Sequence, residues 1–164
     1  MSYLKKKDYF FNTEDGLRST KYFVDRYQAK NILDYGCGYT DLQLDNLSKY
    51  DPFVEECKVL PDGKFDLVFC HNVLNQVSID DLSRTIQKVC DLAEKAVVFN
   101  IQFPGMYKLR KSWYIDIMES LNLNIKDTTT IKLEEFEALL GIDLTPRDPS
   151  WDLPNLVFYI LVEK

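Results

Sequence analysis

Residues 31–38 read Asn-Ile-Leu-Asp-Tyr-Gly-Cys-Gly, and this stretch decides the fold. Two apolar strand formers lead into an acidic residue and then into two glycines that stand one residue apart. Glycine lets a backbone turn tightly and lets a ligand approach it closely. Open α/β sheets build nucleotide sites from a buried strand that runs into such a turn. We therefore expect residues 31–35 to form a buried strand and residues 36–38 to line a ligand site.

The composition is that of one acidic globular domain. The chain has 164 residues, 46% of them hydrophobic, with a net charge of −6. No run of about 18 apolar residues predicts a membrane span, and the amino terminus lacks the apolar core of a signal peptide. The acidic charge favours a small-molecule or protein partner, although it does not exclude nucleic acid. The sequence does not determine the oligomeric state. Without a CxxC pair, the cysteines are predicted to be reduced thiols in a cytoplasmic protein, with no metal site; they are Cys37, Cys57, Cys70 and Cys90.

The rest of the chain alternates predicted strands and helices, which indicates an α/β layer fold with a mostly parallel sheet. Apolar runs predict further strands over residues 49–53, 65–70, 96–103, 124–131 and 156–162. Helical periodicity predicts helices over residues 19–28, 41–47, 78–93, 112–121 and 133–140. Residues 143–154, with three prolines, are predicted to be a long loop.

The motif ILDYGCG at 32–38 resembles the first motif of the class I S-adenosylmethionine-dependent methyltransferases, a strand followed by an acid and a glycine pair. The resemblance extends from Ser19 to Lys164. It implies a single methyltransferase-like domain over 19–164 that follows an amino-terminal arm over 1–18. It also implies a Rossmann-like doubly wound, mostly parallel sheet with an antiparallel carboxyl-terminal edge strand, and S-adenosyl-L-methionine as the cofactor.

The resemblance also implies a set of cofactor-binding residues. Asp34, just before the glycine turn, would bind the amine of the cofactor. Asp51, at the end of the second strand, would accept hydrogen bonds from the ribose hydroxyls of the cofactor. The alternative for Asp34 is that it caps its own turn, and the alternative for Asp51 is that it belongs to an ordinary Asp-Pro turn. The cofactor-binding residues implied are Asp34, Gly36, Cys37, Gly38, Asp51, Pro52, Cys70 and His71. Gly36→Val is then expected to abolish cofactor binding and to leave the fold intact.

His71, the only histidine, follows the strand whose carboxyl end would face the methyl group. A neutral imidazole there can accept a substrate proton, so His71 is the candidate catalytic base; the alternative is a hydrogen-bonded loop residue. Cys70 beside it is better read as a small buried residue than as a nucleophile. We expect the acceptor to lie between His71 and the 103–107 loop. The candidate substrate-binding residues are Asn72, Asn75, Tyr107, Lys108 and Arg110, of which the last two form a basic cluster with Lys111 that is equally readable as a solvated loop.

Several features depart from the methyltransferase pattern. Thr40 stands where the family usually has a third glycine, and residues 54–60 are too few for a third strand. The main prediction is methyl transfer from S-adenosylmethionine to an unidentified acceptor. The alternative is a methyltransferase-like subunit that holds cofactor or a partner without turnover. A nicotinamide-dependent oxidoreductase is disfavoured, because its fingerprint needs a glycine at Asp41, and the amino-methylating DNA motif is absent at 70–73.

Overall fold

The computed structural model describes residues 14–38, 44–103, 109–132 and 156–164. Within these residues the chain forms three α-helices, which are α1 (Glu14–Tyr27), α2 (Ile79–Asp91) and α3 (Lys111–Ser120). The strands of the same residues are β1 (Ile32–Tyr35), β2 (Leu47–Tyr50), β3 (Phe65–His71), β4 (Ala93–Phe103), β5 (Asn124–Lys132) and β6 (Leu156–Glu163). No helix in the described part of the chain is both long and apolar enough to cross a membrane.

The six strands make one sheet in the order β2-β1-β3-β4-β6-β5. Strands β2, β1, β3 and β4 run parallel, whereas β6 is antiparallel to both of its neighbours, β4 and β5. The predicted α/β class with a mostly parallel sheet is confirmed. The antiparallel carboxyl-terminal strand lies one position inside the sheet edge, because β5 occupies the edge itself.

Both faces of the sheet are covered, which explains the nearly continuous apolar runs in β3 and β4. Alternate side chains of β3 enter different cores, as expected for a strand of period two. Val68 packs with residues of α2 and α3, among them Ile86 and Met118. Leu67 and Phe69 pack on the other face with Phe23 of α1.

Helix α2 shows how closely local sequence fixes an element. Ser78 is its amino-terminal cap and accepts a hydrogen bond from the backbone N–H of Asp81 through its side chain. Such a cap satisfies one of the free N–H groups of the first helical turn. The predicted inward residues are buried, and they are Leu82, Ile86, Val89 and Cys90. The helix ends before Ala93, which begins β4 rather than continuing the helical face.

Other boundaries differ from those predicted. Helix α1 begins at Glu14, so residues 14–18 are helical and do not belong to an irregular arm. Strand β2 begins at Leu47, which the sequence placed in a helix, and ends at Tyr50. A single 3₁₀ turn at Glu55–Cys57 occupies the short segment that follows. The predicted helix 133–140, the loop 143–154 and residues 1–13, 39–43 and 104–108 lie outside the described residues.

Candidate cofactor site

The strand order creates a crevice between the carboxyl ends of β1 and β3. The chain passes from β1 to β2 on one side, and the next strand, β3, pairs with the other side of β1. In open α/β sheets, ligands bind at such a switch point, outside the carboxyl ends of the strands. The turn 36–38 directly follows β1, Asp51 directly follows β2 and Asn72 directly follows β3. The structure therefore brings the three predicted segments to one edge of the sheet.

The glycine turn is held by backbone bonds and by close packing. Gly36 and Gly38 have φ angles of +78° and +57°, in the region that favours glycine. The N–H groups of Gly36 and Cys37 both donate to the carbonyl oxygen of Tyr50, at 2.6 and 3.1 Å. A Cβ atom on Gly36 would lie 2.2 Å from Cγ2 of Val73. This contact argues against the expectation that Gly36→Val leaves the fold intact, because the new side chain would collide with Val73 in the segment that follows β3.

Asp51 links the glycine turn to the segment after β2. Its carboxylate is buried and accepts two backbone hydrogen bonds, from the N–H of Gly38 to Oδ2 and from the N–H of Phe53 to Oδ1, each at 2.9 Å. Pro52 is exposed beside it. The Asp-Pro turn is thus present in the structure. A carboxylate has about four acceptor positions, and both oxygens of Asp51 take part in holding the turn.

Asp34 and Cys37 are buried on the two sides of Tyr35 and Gly36. Burial raises the pKa of the Cys37 thiol well above its ordinary value, and the hydrogen bond with Cys57 and the nearby Asp34 carboxylate raise it further. The thiol is therefore protonated at neutral pH. Cys70 is completely buried in the core that contains α2, in agreement with its reading as a small apolar residue.

His71 lies inside the protein rather than at its surface. Its ring stacks on Phe69, with 5.3 Å between centroids and an angle of 12° between the planes. Burial lowers the pKa of His71 to about 3. The imidazole is therefore neutral at physiological pH, and protonation inside the apolar surroundings is unfavourable. This environment argues against His71 as a general base and favours a neutral packing or hydrogen-bonding role.

Two residues of this region were missed by the sequence reasoning. Asn100 pairs in register with His71 on one side and with Tyr159 on the other, so the three residues form a row across β3, β4 and β6. The side chains of Asn100 and Tyr159 are hydrogen-bonded to each other, while burial raises the pKa of Tyr159 to about 12. The signal for Asn100 was an amide within an otherwise apolar strand.

A shallow cavity of about 230 Å³ opens on the α1 side of the sheet. Tyr159 joins it to the row described above, since this side chain lines the cavity and bonds Asn100. The glycine turn contributes no lining residue. The cavity is lined by Tyr22, Phe23, Val98, Asp127, Tyr159, Ile160 and Leu161.

The candidate substrate residues are only partly described. Asn72 has a φ angle of +53°, and its N–H donates to the carbonyl oxygen of Asn100 at 2.8 Å. Its own carbonyl accepts a bond from the Gln76 side chain at 2.6 Å. Arg110 is exposed and directly precedes α3. Asn75 is partly buried, and Tyr107 and Lys108 lie outside the described residues.

The residues at the switch point fit a nucleoside ligand that carries positive charge. A backbone turn with two glycines permits close approach, and two buried carboxylates, Asp34 and Asp51, supply negative charge. Carboxylates suit the amine and sulfonium of S-adenosylmethionine, and carboxylate oxygens also accept from ribose hydroxyls. The strand order and this turn together define the fold of class I methyltransferases.

Solved structures with the same fold support this assignment at the level of architecture. Magnesium protoporphyrin IX methyltransferase from Synechocystis, with bound S-adenosylmethionine, has a TM-score of 0.60 and 12% identity over 92% of this chain and 79% of that chain. Coclaurine N-methyltransferase, bound to N-methylheliamine and S-adenosylhomocysteine, has a TM-score of 0.60 and 10% identity over 98% and 76%. The 4+2 cyclase SpnF has a TM-score of 0.58 and 12% identity over 92% and 81%.

Comparison by sequence finds no match, in contrast to comparison by structure. No family model matches the chain, and no curated protein matches it significantly in sequence. These structures, together with magnesium protoporphyrin IX methyltransferase bound to S-adenosylhomocysteine, are only 10–14% identical to this chain in sequence. At such identities the structural similarity shows the fold alone.

Proposed function

We propose that this protein transfers a methyl group from S-adenosylmethionine to an acceptor molecule. The observation that carries the proposal is the glycine turn at the switch point between β1 and β3, flanked by the buried carboxylates of Asp34 and Asp51. S-adenosylmethionine supplies an electrophilic methyl carbon on a sulfonium. The task left to the protein is to align a nucleophile with that carbon and to accommodate one proton.

The residues of the crevice divide this task. The backbone of Gly36, Cys37 and Gly38 would carry the methionine part of the cofactor, with Asp34 opposite its amine. Asp51 would accept the ribose hydroxyls at its carboxylate oxygens, which also accept from the N–H groups of Gly38 and Phe53. Pro52 and His71 would complete the walls, with Cys70 next to His71 in the core.

The acceptor is proposed to be a small molecule or a protein rather than nucleic acid. The net charge of −6 opposes association with a phosphate backbone. Coclaurine N-methyltransferase, a protein of similar fold, was crystallised with the small molecule N-methylheliamine. The exposed Arg110, with the other proposed substrate residues Asn72, Asn75, Tyr107 and Lys108, would meet an acceptor at the same sheet edge.

Alignment, rather than a strong base, is the proposed source of catalysis. The buried imidazole of His71 has a pKa of about 3 and accepts a proton poorly. His71→Ala should therefore change turnover through packing beneath the crevice. Once an acceptor is found, the pH profile of kcat between pH 6 and 9 should contain no step that His71→Ala removes. Loss of such a step in the variant would show a general base with a pKa in that range, whereas a packing residue changes only the height of the profile.

The proposal is tested by calorimetric titration of the protein with S-adenosylmethionine, S-adenosylhomocysteine and NAD. Binding of both sulfur ligands and no binding of NAD is the expected result. Asp34→Asn is the matched variant, because it keeps the size of the side chain and removes its charge. A lower affinity for the amine-bearing ligands is expected in that variant, if it stays folded by circular dichroism. NAD binding without S-adenosylhomocysteine binding would overturn the proposal.

The second candidate is a methyltransferase-like subunit that binds cofactor or a partner without turnover. Two observations favour it: the described part of the sheet ends at β2 with no third strand beyond it, and SpnF, a protein of this fold, is a cyclase. The candidates differ after cofactor binding is established. Release of S-adenosylhomocysteine from labelled S-adenosylmethionine in the presence of small-molecule and protein pools supports turnover. Tight binding with no product in any pool supports the second candidate.

A further inference from the structure

Two of the four thiols meet at the glycine turn. The Sγ atoms of Cys37 and Cys57 lie 3.3 Å apart, although the residues are 20 positions apart in the sequence. Cys37 is buried between the two glycines, and Cys57 ends the 3₁₀ turn after β2 and is partly exposed. The other two thiols, Cys70 and Cys90, are completely buried in the core. The chain therefore contains one thiol pair with a route to solvent.

Backbone bonds hold both members of the pair in place. The N–H of Cys37 donates to the Tyr50 carbonyl at 3.1 Å. Asp51 directly follows Tyr50, and its N–H donates to the Cys57 carbonyl at 3.0 Å. The N–H of Cys57 donates to the carbonyl of Val54 at 3.1 Å. Because both segments are anchored at the end of β2, the two sulfur atoms are held near each other by the fold.

We propose that Cys37 and Cys57 are a redox-sensitive pair that peroxide converts into a disulfide, which ties the glycine turn to the segment after β2. The Cys57 sulfur, the more exposed of the two, attacks one oxygen of the peroxide. The O–O bond breaks, one water leaves and Cys57 becomes a sulfenic acid. The Cys37 sulfur then attacks the Cys57 sulfur, and the S–O bond breaks as the hydroxyl leaves with the Cys37 proton as water. Two thiols lose two electrons, and hydrogen peroxide becomes two waters.

The order of these steps follows from exposure. Cys37 is buried, so an oxidant in solution reaches it poorly. Cys57 meets the oxidant first, and Cys37 is already in contact as the resolving thiol. Disulfide formation shortens the sulfur separation from 3.3 Å to about 2.05 Å and closes a loop that contains β2 and Asp51. The modification therefore falls on the two segments that frame the candidate cofactor site.

The test is peptide mapping of the folded, reduced protein after treatment with hydrogen peroxide, with no cofactor present. The expected result is one crosslinked peptide that joins Cys37 to Cys57 and disappears with dithiothreitol. The crosslinked protein should also melt roughly 5 °C or more above the reduced protein, since the closed loop restricts the unfolded chain. Oxidation of Cys57 to sulfinic or sulfonic acid, with Cys37 still open to alkylation after unfolding, would overturn the proposal, as would a crosslink only between chains.

Matched variants assign the steps. Cys90→Ala removes a buried thiol of α2 and should leave the crosslink unchanged. In Cys37→Ser, dimedone should trap a sulfenic acid at Cys57, and in Cys57→Ser it should label nothing. Labelling of Cys37 in Cys57→Ser would refute the assigned order. Because the mapping needs neither cofactor nor turnover, it is independent of the proposed methyl transfer, and the parent protein alone decides the proposal if a variant fails to fold.

Discussion

The two ends of the parallel strands carry similar residues in opposite environments. At the amino ends, Asp66 accepts a bond from the backbone N–H of Lys30 at 2.7 Å and pairs with the partly exposed Lys95 at 3.0 Å. The hydrogen bond from Lys30 and the pairing with Lys95 lower the pKa of Asp66. At the carboxyl ends, Asp51 and His71 are shielded from water. The Asp66 carboxylate combines a backbone donor with an ion pair to an exposed lysine, whereas the Asp51 carboxylate is buried and accepts from the backbone N–H groups of Gly38 and Phe53.

This difference has an energetic meaning. Exposed ion pairs contribute little to stability, because water already solvates both charges. Polar groups buried at a strand end are costly unless every bond is made, and folds retain them where a site needs them. The contrast is the one expected if the proposed cofactor site lies at the carboxyl edge, and paired substitutions at the two ends test it.

The largest effect on the free energy of unfolding is expected when alanine replaces a turn glycine. Gly36 follows β1 at the carboxyl edge, and Gly63 precedes β3 at the amino edge. Gly36 meets Val73, whereas a Cβ on Gly63, with φ of +98°, would meet nothing within 4 Å. Gly63→Ala should cost only the backbone strain, ~1–3 kcal/mol. Gly36→Ala should cost a further ~1–3 kcal/mol of overpacking. Urea unfolding measures both free energies.

A second-site change sharpens this comparison. Val73→Ala in the Gly36→Ala background removes the methyl group that the new Cβ meets, and it should recover part of the overpacking cost. The same change beside Gly63→Ala should recover nothing. Equal unfolding free energies for the two single glycine variants would show that Val73 does not confine the glycine turn.

The next effect concerns the two carboxylates. Asp51→Asn replaces an acceptor oxygen by an amide that cannot accept from Gly38 or Phe53, so one buried N–H loses its partner, at ~1–3 kcal/mol. Asp66→Asn loosens a partly exposed pair and should cost ~0.2–1 kcal/mol. Chemical denaturation of both variants checks the ranking. A larger loss for Asp66→Asn would reverse the assignment of the two edges.

The last effect, which is small near neutral pH, is a pH dependence that belongs to His71. Its pKa is lowered from 6.5 to about 3 in the folded protein, so the unfolded chain binds the extra proton between these values. Stability is then fully present above pH 6.5 and declines as the pH falls towards 3. Roughly 1 kcal/mol should be lost between pH 6.5 and 5.5. His71→Gln should flatten this slope in denaturation curves, while Asp66→Asn should preserve it because carboxylates titrate lower.

The sequence predicted the layer fold because its strongest signals are local. The apolar strands and the cap at Ser78 specify their elements without help from distant residues. The contact between Cys37 and Cys57 was not predictable, because it depends on how the segment after β2 folds back on the glycine turn. The burial of His71 was missed because a residue at the end of a strand is expected to be exposed until its surroundings in the folded sheet are known.

The placement of β6 has a consequence for synthesis of the protein. β6 comes after β5 in the chain, yet it separates β4 from β5 and pairs with both along their lengths. A nascent chain that has left the ribosome only as far as β5 has an unpaired edge on β4 and no docking strand for β5. Unpaired edges of this kind favour aggregation and slow folding. Completion of this half of the sheet must wait for residues 156–163, so chaperone protection is most valuable in the interval before they emerge.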